Sequence, residues 1–390
     1  MPVSTTWSWP TTVRFGAGRV AELAEACRSA GIAKPLFVTD PGLAALPMTA
    51  RVLARLRAEG LPVEVFAKVR SNPTGENVAE GVAAFRAGGH DGVIAFGGGS
   101  VLDCGKVVAL MAGQKRPLWD FEDRIAGLSR ADPAGGSSVV APIVAVPTTA
   151  GSGSEVCQGG VITNSVERVK KVISHPGMLP AQAILDPELT RDLPPLLTGC
   201  AGMDALSHCL EAYCAPSFHP MAEGIAVEGI RLVRENLLRA YRDGGDMEAR
   251  GEMLAAGAMG AVAFQKGLGA VHALSHPVGA LYDTHHGLTN AVLLPYVLDF
   301  NREAIYDKID RLAAWLGLEG GFAGFLDFLL RLRRDLGVPH TLDRIGVDAE
   351  RIDAMAEMAV ADPNAAGNPR MLTVSDARDL YERAIEGRVA

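Results

Sequence analysis

The sequence predicts an α/β domain with a mainly parallel sheet over residues 1–190 and an all-helical domain over residues 191–390. Three observations carry this expectation. A chain of 390 residues exceeds what one small core organises. From residue 13 to about 187, short apolar runs alternate with amphipathic segments. After Pro187 no strand-like run follows, and helical periodicity takes over.

In chain order, the expected strands are "PLFVT" (35–39), "VEVFA" (63–67), "GVIAF" (92–96), "IVAVP" (143–147), "VISH" (172–175) and "AILD" (183–186). The first three are rich in β-branched or aromatic residues, and Gly or Pro punctuates most of the set. Between the earlier strands lie the helical patterns "RVAELAEACRSAG", "TARVLARLRAEG" and "TGENVAEGVAAFRAGG", each ending in glycine, a frequent helix C-terminal signal. Near-continuous apolar strands alternating with helices argue for a parallel sheet covered on both faces. The stretch 113–138 reads as a long excursion between strands that borders a ligand. The boundary falls in the Pro-rich "DPELTRDLPP". Beyond it, helical patterns dominate "LLTGCAGMDALSHCLEAYC", "MAEGIAVEGIRLVRENLLRAY", "EARGEMLAAGAMGAVAF", "GFAGFLDFLLRLRRDLG" and the last fifteen or so residues.

Composition narrows the partners. The net charge is −8, with no long run of one sign, so there is no basic footprint for a nucleic acid or an anionic membrane. No apolar stretch approaches the ~20 residues that span a bilayer. The opening "MPVSTTWSWPTTVRF" lacks the basic and apolar regions of a secretory signal. Six cysteines (Cys27, Cys104, Cys157, Cys200, Cys209, Cys214) are scattered without a C-x-x-C pair, which suits reduced thiols in a cytoplasmic protein. Cys104, Cys200, Cys209 and Cys214 lie in apolar helical patterns and read as packing.

Two glycine-containing loops follow strands. Strand 92–96 runs into "GGGSVLDCGK" (97–106), where a helix begins. Glycines there admit close backbone approach, and the helix N-terminus offers N–H groups to an anion. Gly97, Gly98, Gly99 and Ser100 therefore form a candidate pyrophosphate cradle. A plain tight turn is the alternative, because the G-x-G-x-x-G fingerprint is absent. "VPTTAGSGSE" (146–155) is a second such loop, rich in small hydroxyl residues. Asp40 closes "LFVTD", where an acid can accept from a ribose 2′-hydroxyl and repel a 2′-phosphate; an N-cap role is the alternative.

Histidines and one aspartate suggest a metal. Asp204 and His208 in "GMDALSHCLEAY" are four apart and share one face of an expected helix, though alone they would read as a buried hydrogen-bonded couple. "GLGAVHALSHPVGALYDTHHG" (267–287) adds His272, His276, His285 and His286. Carboxylate and imidazole together suit zinc or ferrous iron. The H-E-x-x-H motif is absent. Pro277 disfavours helical geometry at His276, and adjacent residues such as His285 and His286 rarely aim at one ion. One ligand from each pair is expected, with the choice open.

At this point the residues resemble a known family, the iron-containing (group III) alcohol dehydrogenases of the dehydroquinate-synthase-like fold. The resemblance rests on "VTD" (38–40), "NPT" (72–74), "GGGSVLDCGK" (97–106), "VPTTAGSGSE" (146–155), "LPAQAILDPELT" (179–190), "GMDALSH" (202–208) and the stretch 267–287. It implies an N-terminal dinucleotide-binding domain, a helical metal-binding domain and a cleft between them. It implies Asp204, His208, His272 and His286 as metal ligands, and His276 as a catalytic residue that relays a proton. It also implies Asp40 as the acid favouring NAD over NADP, and Gly97, Gly98, Gly99 and Ser100 as the pyrophosphate loop. Thr148, Thr149 and Ser152 fall in the second cofactor loop, Lys170 matches a ribose contact, and Asn72 and Asp103 lie in matched cofactor motifs.

The implied cofactors are NAD and a divalent metal, Fe2+ by resemblance, with Zn2+ accepted by the same ligands. The implied reaction is hydride transfer between NAD(H) and a small alcohol and its aldehyde or ketone. A divalent ion would lower the pKa of the alcohol. The implied assembly is a homodimer or larger homo-oligomer. A hydroxy-acid, diol or glycerol dehydrogenase is the narrower alternative within the fold. A lyase of the dehydroquinate-synthase type would call for a more basic phosphate-binding set than this chain offers. Two departures stand out. His285 occupies a position where the family often has proline, and "VAFQKGLG" (262–269) is one residue shorter than the common pattern, leaving open whether Phe264 lines the substrate pocket.

Overall fold

The computed structural model describes residue 7 and residues 11–123 and 140–389, so most of the expected excursion, 124–138, lies outside the described residues. Two compact units divide the described residues, 11–193 and 194–389, the latter taking in Trp7.

The first unit holds strands β1 (Thr12–Phe15), β2 (Pro35–Val38), β3 (Glu64–Phe66), β4 (Gly92–Gly97), β5 (Ile143–Pro147), β6 (Gly159–Asn164), β7 (Val169–Ser174) and β8 (Gln182–Leu185). Six of them form one sheet in the order β1-β8-β5-β4-β2-β3, and every neighbouring pair is parallel. The central strands β2, β4 and β5 are buried at every position, which is why their sequences are continuously apolar.

Alternate residues feed two cores. Leu36, Val38, Val93, Ala95, Ile143 and Ala145 pack on one side with α4 (Gly75–Gly88) and α5 (Gly99–Ala112). Phe37, Ile94, Phe96, Val144 and Val146 pack on the other with α1 (Leu23–Ser29) and α3 (Pro47–Ala58). This period of two places helices on both faces. A one-turn helix α2 (Pro41–Ala44) follows β2.

Two strands escaped the sequence reading. The residues of β1 are mostly exposed, and this edge strand offers no apolar run to detect. Glycine-led β6 pairs with β7 as a separate antiparallel ribbon. The strand read at 172–175 therefore belongs to that ribbon and not to the parallel sheet; β7 carries Lys170 and Lys171, and of its residues only Ile173 is buried.

Among the described residues, the second unit contains no strand. Its helices are α6 (Pro195–Cys214), α7 (Pro220–Arg242), α8 (Met247–Ala263), α9 (Ala270–Tyr282), α10 (His286–Phe300), α11 (Arg302–Trp315), α12 (Gly321–Asp335), α13 (Ile352–Ala361) and α14 (Val374–Glu386). Helix α6 is buried almost throughout, so its weak amphipathicity reflects a central position. Helix α8 passes close to it: a Cβ on Gly260 would come within 2.9 Å of the His208 Cβ.

Helix α9 corrects one expectation. It stays helical through His276 and Pro277. Pro277 has no N–H for the Ala273 carbonyl, so one intrahelical bond is forgone. The first turn of α9 is held from outside the helix, by Glu211 at Val271 and by Asn368 at Ala270. Among the described residues, no single helix is long and apolar enough to cross a membrane.

Glu155 supplies a test of the first unit. It is 2% exposed in the turn Ser154–Val156 after β5. Burial pushes its carboxyl up from the ordinary 4.5 to about 7, with Lys106 opposing the rise and Asp103 adding to it. The folded value exceeds the unfolded one, so the stability linked to its proton is complete below 4.5 and is lost as pH rises through about 7. Glu155→Gln should remove this dependence. Its melting temperature relative to wild type should rise between about pH 5 and about pH 8; parallel curves would contradict the assignment.

Candidate functional site

In the first unit, the expected cofactor residues gather at the carboxyl ends of three adjacent parallel strands. Asp40 follows β2, Gly97 ends β4 with Gly98 to Ser100 after it, and Thr148 to Ser152 follow β5. Ligands of open α/β sheets bind at such ends. Helix α5 starts at Gly99 with Gly98 as N-cap and no side-chain cap, so its first amides are available to an anion.

The two loops touch. The Thr148 N–H donates to the Gly97 carbonyl at 3.0 Å, and a Cβ on Gly99 would stand 2.8 Å from the Ser152 Cβ. Glycine at 99 therefore reflects the close approach of the second loop.

Helix α5 also braces that loop. Asp103 Oδ2 accepts from the Val161 N–H at 2.9 Å and Oδ1 accepts from the Ser154 hydroxyl. Both carboxylate oxygens thus bond to protein, one to β6 and one to the loop. Buried Lys106 donates to the Ser154 and Cys157 carbonyls at 2.8 and 3.2 Å. Asn72 and Lys170 meet, with Lys170 Nζ donating to Asn72 Oδ1 at 2.8 Å. The Ser100 hydroxyl donates to the Ser71 carbonyl. Asp40 caps α2, accepting from the Leu43 N–H at 2.9 Å.

In the second unit, α6 carries Asp204 and His208 one turn apart, and α9 and α10 bring in His272 and His286. From Asp204 Oδ1 the Nε2 atoms of His208, His272 and His286 lie at 4.0, 3.9 and 3.6 Å. Asp204, His208 and His272 are buried, with ligand atoms all within 4.8 Å of one another. Two donors each about 2.1 Å from one tetrahedral ion stand about 3.4 Å apart, so this spacing and this donor set fit a divalent metal. The His286 side chain is 31% exposed and opens one side of the cluster. His285 is exposed and caps α10, its Nδ1 accepting from the Leu288 N–H at 3.3 Å. That cap explains how two adjacent histidines part company.

His276 stands one turn beyond His272 on α9. Its ring lies 5.6 Å from that of His286 and 6.1 Å from that of His272, and its Nδ1 is 2.7 Å from Asp362 Oδ2. The Phe264 ring meets the His208 ring edge-on at 5.4 Å, so this aromatic borders the cluster.

Three supporting residues went unnoticed in the sequence. Glu211 on α6 is buried; its Oε1 accepts from the Val271 N–H at 2.7 Å and its Oε2 pairs with His272 Nδ1. Burial opposes a charge on His272, but Glu211 and then Asp204 outweigh it and raise its pKa. With Nδ1–H directed at a carboxylate, Nε2 is left to bind an ion. Asn290 on α10 is fully buried; its Nδ2 donates to Asp204 Oδ1 at 2.7 Å and lies 3.1 and 3.3 Å from the Nε2 atoms of His286 and His272. The third is Asp362. Spacing alone pointed to two of them. Glu211 follows His208 by three residues on one helix face, and Asn290 follows His286 by four. No local signal marks Asp362, which is 86 residues from its partner His276.

The family model described as iron-containing alcohol dehydrogenase matches residues 10–187, and that of the C-terminal region of the same family matches 198–385. The chain is 38% identical over 385 residues to a 4-hydroxybutyrate dehydrogenase of Cupriavidus necator, covering 96% of this chain and 98% of the relative. It is 36% identical to a 1,3-propanediol dehydrogenase of Citrobacter freundii, covering 96% and 97%. A crystal structure of a 1,3-propanediol oxidoreductase superposes with a TM-score of 0.91 at 35% identity, covering 98% of this chain and all of the other. The chain belongs to the iron-containing alcohol dehydrogenase family.

Proposed function

We propose that the protein is an NAD-dependent, metal-dependent alcohol dehydrogenase, moving hydride between NAD(H) and a small alcohol and its aldehyde or ketone. The observation that carries this reading is the buried group Asp204, His208 and His272, whose ligand atoms lie within 4.8 Å of one another, with His286 Nε2 a further 3.6 Å from Asp204 Oδ1. When bound, a divalent ion supplies a Lewis acid for the alcohol oxygen, and NAD supplies the hydride acceptor.

The chain's residues do the rest. Asp204, His208, His272 and His286 hold the ion, and Fe2+ and Zn2+ both suit that set. Glu211 fixes the His272 tautomer and Asn290 orients the Asp204 carboxylate. His276 takes the alcohol proton at Nε2. Gly97, Gly98, Gly99 and Ser100 receive the pyrophosphate, with Thr148, Thr149 and Ser152 beside it. Asn72 and Lys170 meet the nicotinamide ribose, while Asp40 accepts from the adenosine ribose 2′-hydroxyl.

A narrower hydroxy-acid or diol substrate is favoured by the names of the relatives, a 4-hydroxybutyrate dehydrogenase and a 1,3-propanediol dehydrogenase. The reading includes a cytoplasmic homo-oligomer, in keeping with cysteines that are all free.

Protein purified without oxygen should carry a single divalent ion per chain and form NADH from members of a panel of primary alcohols, diols and hydroxy acids. Absence of NADH formation with metal supplied would remove the oxidoreductase reading. His272→Ala should lose the metal, and Glu211→Gln should keep the fold while weakening metal affinity by about 10- to 100-fold. Unchanged affinity in the glutamine variant, measured by competition with a chelator, would contradict the role given to Glu211. Asp40→Gly costs only a few tenths of a kcal/mol as an N-cap change. It should nonetheless raise the NADP to NAD ratio of kcat/KM, and an unmoved ratio would take Asp40 out of the ribose site.

A further inference from the structure

Asp362 closes α13 and opens the turn Pro363–Gly367, and its two carboxylate oxygens do different things. Oδ1 caps the turn, accepting from the Asn364 backbone N–H and side-chain amide, each at 2.8 Å. Oδ2 faces His276 Nδ1 at 2.7 Å, and both side chains are more than nine-tenths buried, at 7% and 8% exposure. A carboxylate only accepts, so Nδ1 carries the proton and Nε2 is the acceptor of the ring. That ring packs against the rings of His286 and His272.

The same segment returns to α9 at Asn368, whose Oδ1 accepts from the Ala270 N–H at 3.1 Å. Residues 362–368 therefore grip α9 at its first residue and again at His276, setting that ring relative to the cluster.

We propose that Asp362 is a positioning residue for His276, holding the imidazole in the Nδ1–H tautomer so that Nε2 receives the alcohol proton. This rests on the proposed role of His276 in proton transfer. Asp362→Asn separates the two functions of the carboxylate. The amide keeps an oxygen for the Asn364 N–H and places an NH2 against His276 Nδ1, which cannot accept from Nδ1–H. Replacing the acceptor by a donor reverses the tautomer and puts the proton on Nε2, where it blocks acceptance.

The test uses zinc-loaded wild type, Asp362→Asn, His276→Ala and the double variant. In Asp362→Asn, kcat should fall about 100-fold or more. KM for NAD, metal content and melting temperature should stay near wild type. Histidine 15N spectra should show His276 changing from the Nδ1–H to the Nε2–H form, a signature that a purely structural residue would not produce. The double variant should be no slower than His276→Ala, since the two residues act as one unit.

An unchanged tautomer, additive losses in kcat, or a loss of metal or of thermal stability in Asp362→Asn would each overturn the proposal. A different result would remove the underlying reading instead. If His276→Ala turns over as fast as wild type, His276 is not the proton acceptor, whatever its tautomer.

Discussion

The geometry of the Asp204–His208–His272 cluster depends on the two oxygens of Glu211. One accepts from the first turn of α9 at Val271 and the other pairs with His272 in that same turn. A buried carboxylate is costly unless its hydrogen-bonding capacity is filled and its charge answered. Here the positive end of a helix and an imidazole answer it together. Helix α9 has glycine as N-cap, with no side chain to serve its own orphan N–H groups. Its caps come from Glu211 on α6 and from Asn368 on a distant turn. Glycine at 269 allows this: a Cβ would stand 2.9 Å from Asn368 Oδ1 and 3.0 Å from Glu211 Oε1. The caps that start the helix therefore also set where His272 points.

The two units hold their candidate residues by different means. In the first, neighbouring parallel strands align loop starts at the carboxyl end of the sheet, and Asp103 and Lys106 of α5 tie the second loop, at Ser154, to the helix that begins at the first. In the second, buried helices carry the candidate donors and bring them to within a few ångströms of one another by close helix contact. Gly260 beside His208, and Asn290 against Asp204, His272 and His286, are parts of that packing.

Much of this was legible in the sequence where burial leaves a period. Strands β2, β4 and β5 are buried on both faces and read as apolar runs. Asp204 and His208 share a face at helical spacing, and the glycine loops follow strands. Edge strand β1 left no such trace because its side chains are mostly exposed. Pro277 misled because its local preference against helix yielded to the tertiary anchoring of α9. The histidine pairs could not be resolved by spacing; the family resemblance made the choice, and in the fold His285 caps α10 while His286 approaches Asp204. Asp362 was invisible because nothing local marks an aspartate that acts on a helix so far away in sequence.

The central claim is that Asp204, His208, His272 and His286 share one divalent ion at which an alcohol gives up its proton and hydride. Anomalous diffraction at the iron and zinc absorption edges, on crystals grown with NAD and a substrate alcohol, addresses it most directly. The account predicts a single strong peak about 2.0–2.3 Å from Asp204 and from the Nε2 atoms of the three histidines. A peak elsewhere, or one that excludes His286 while including His276, would contradict it.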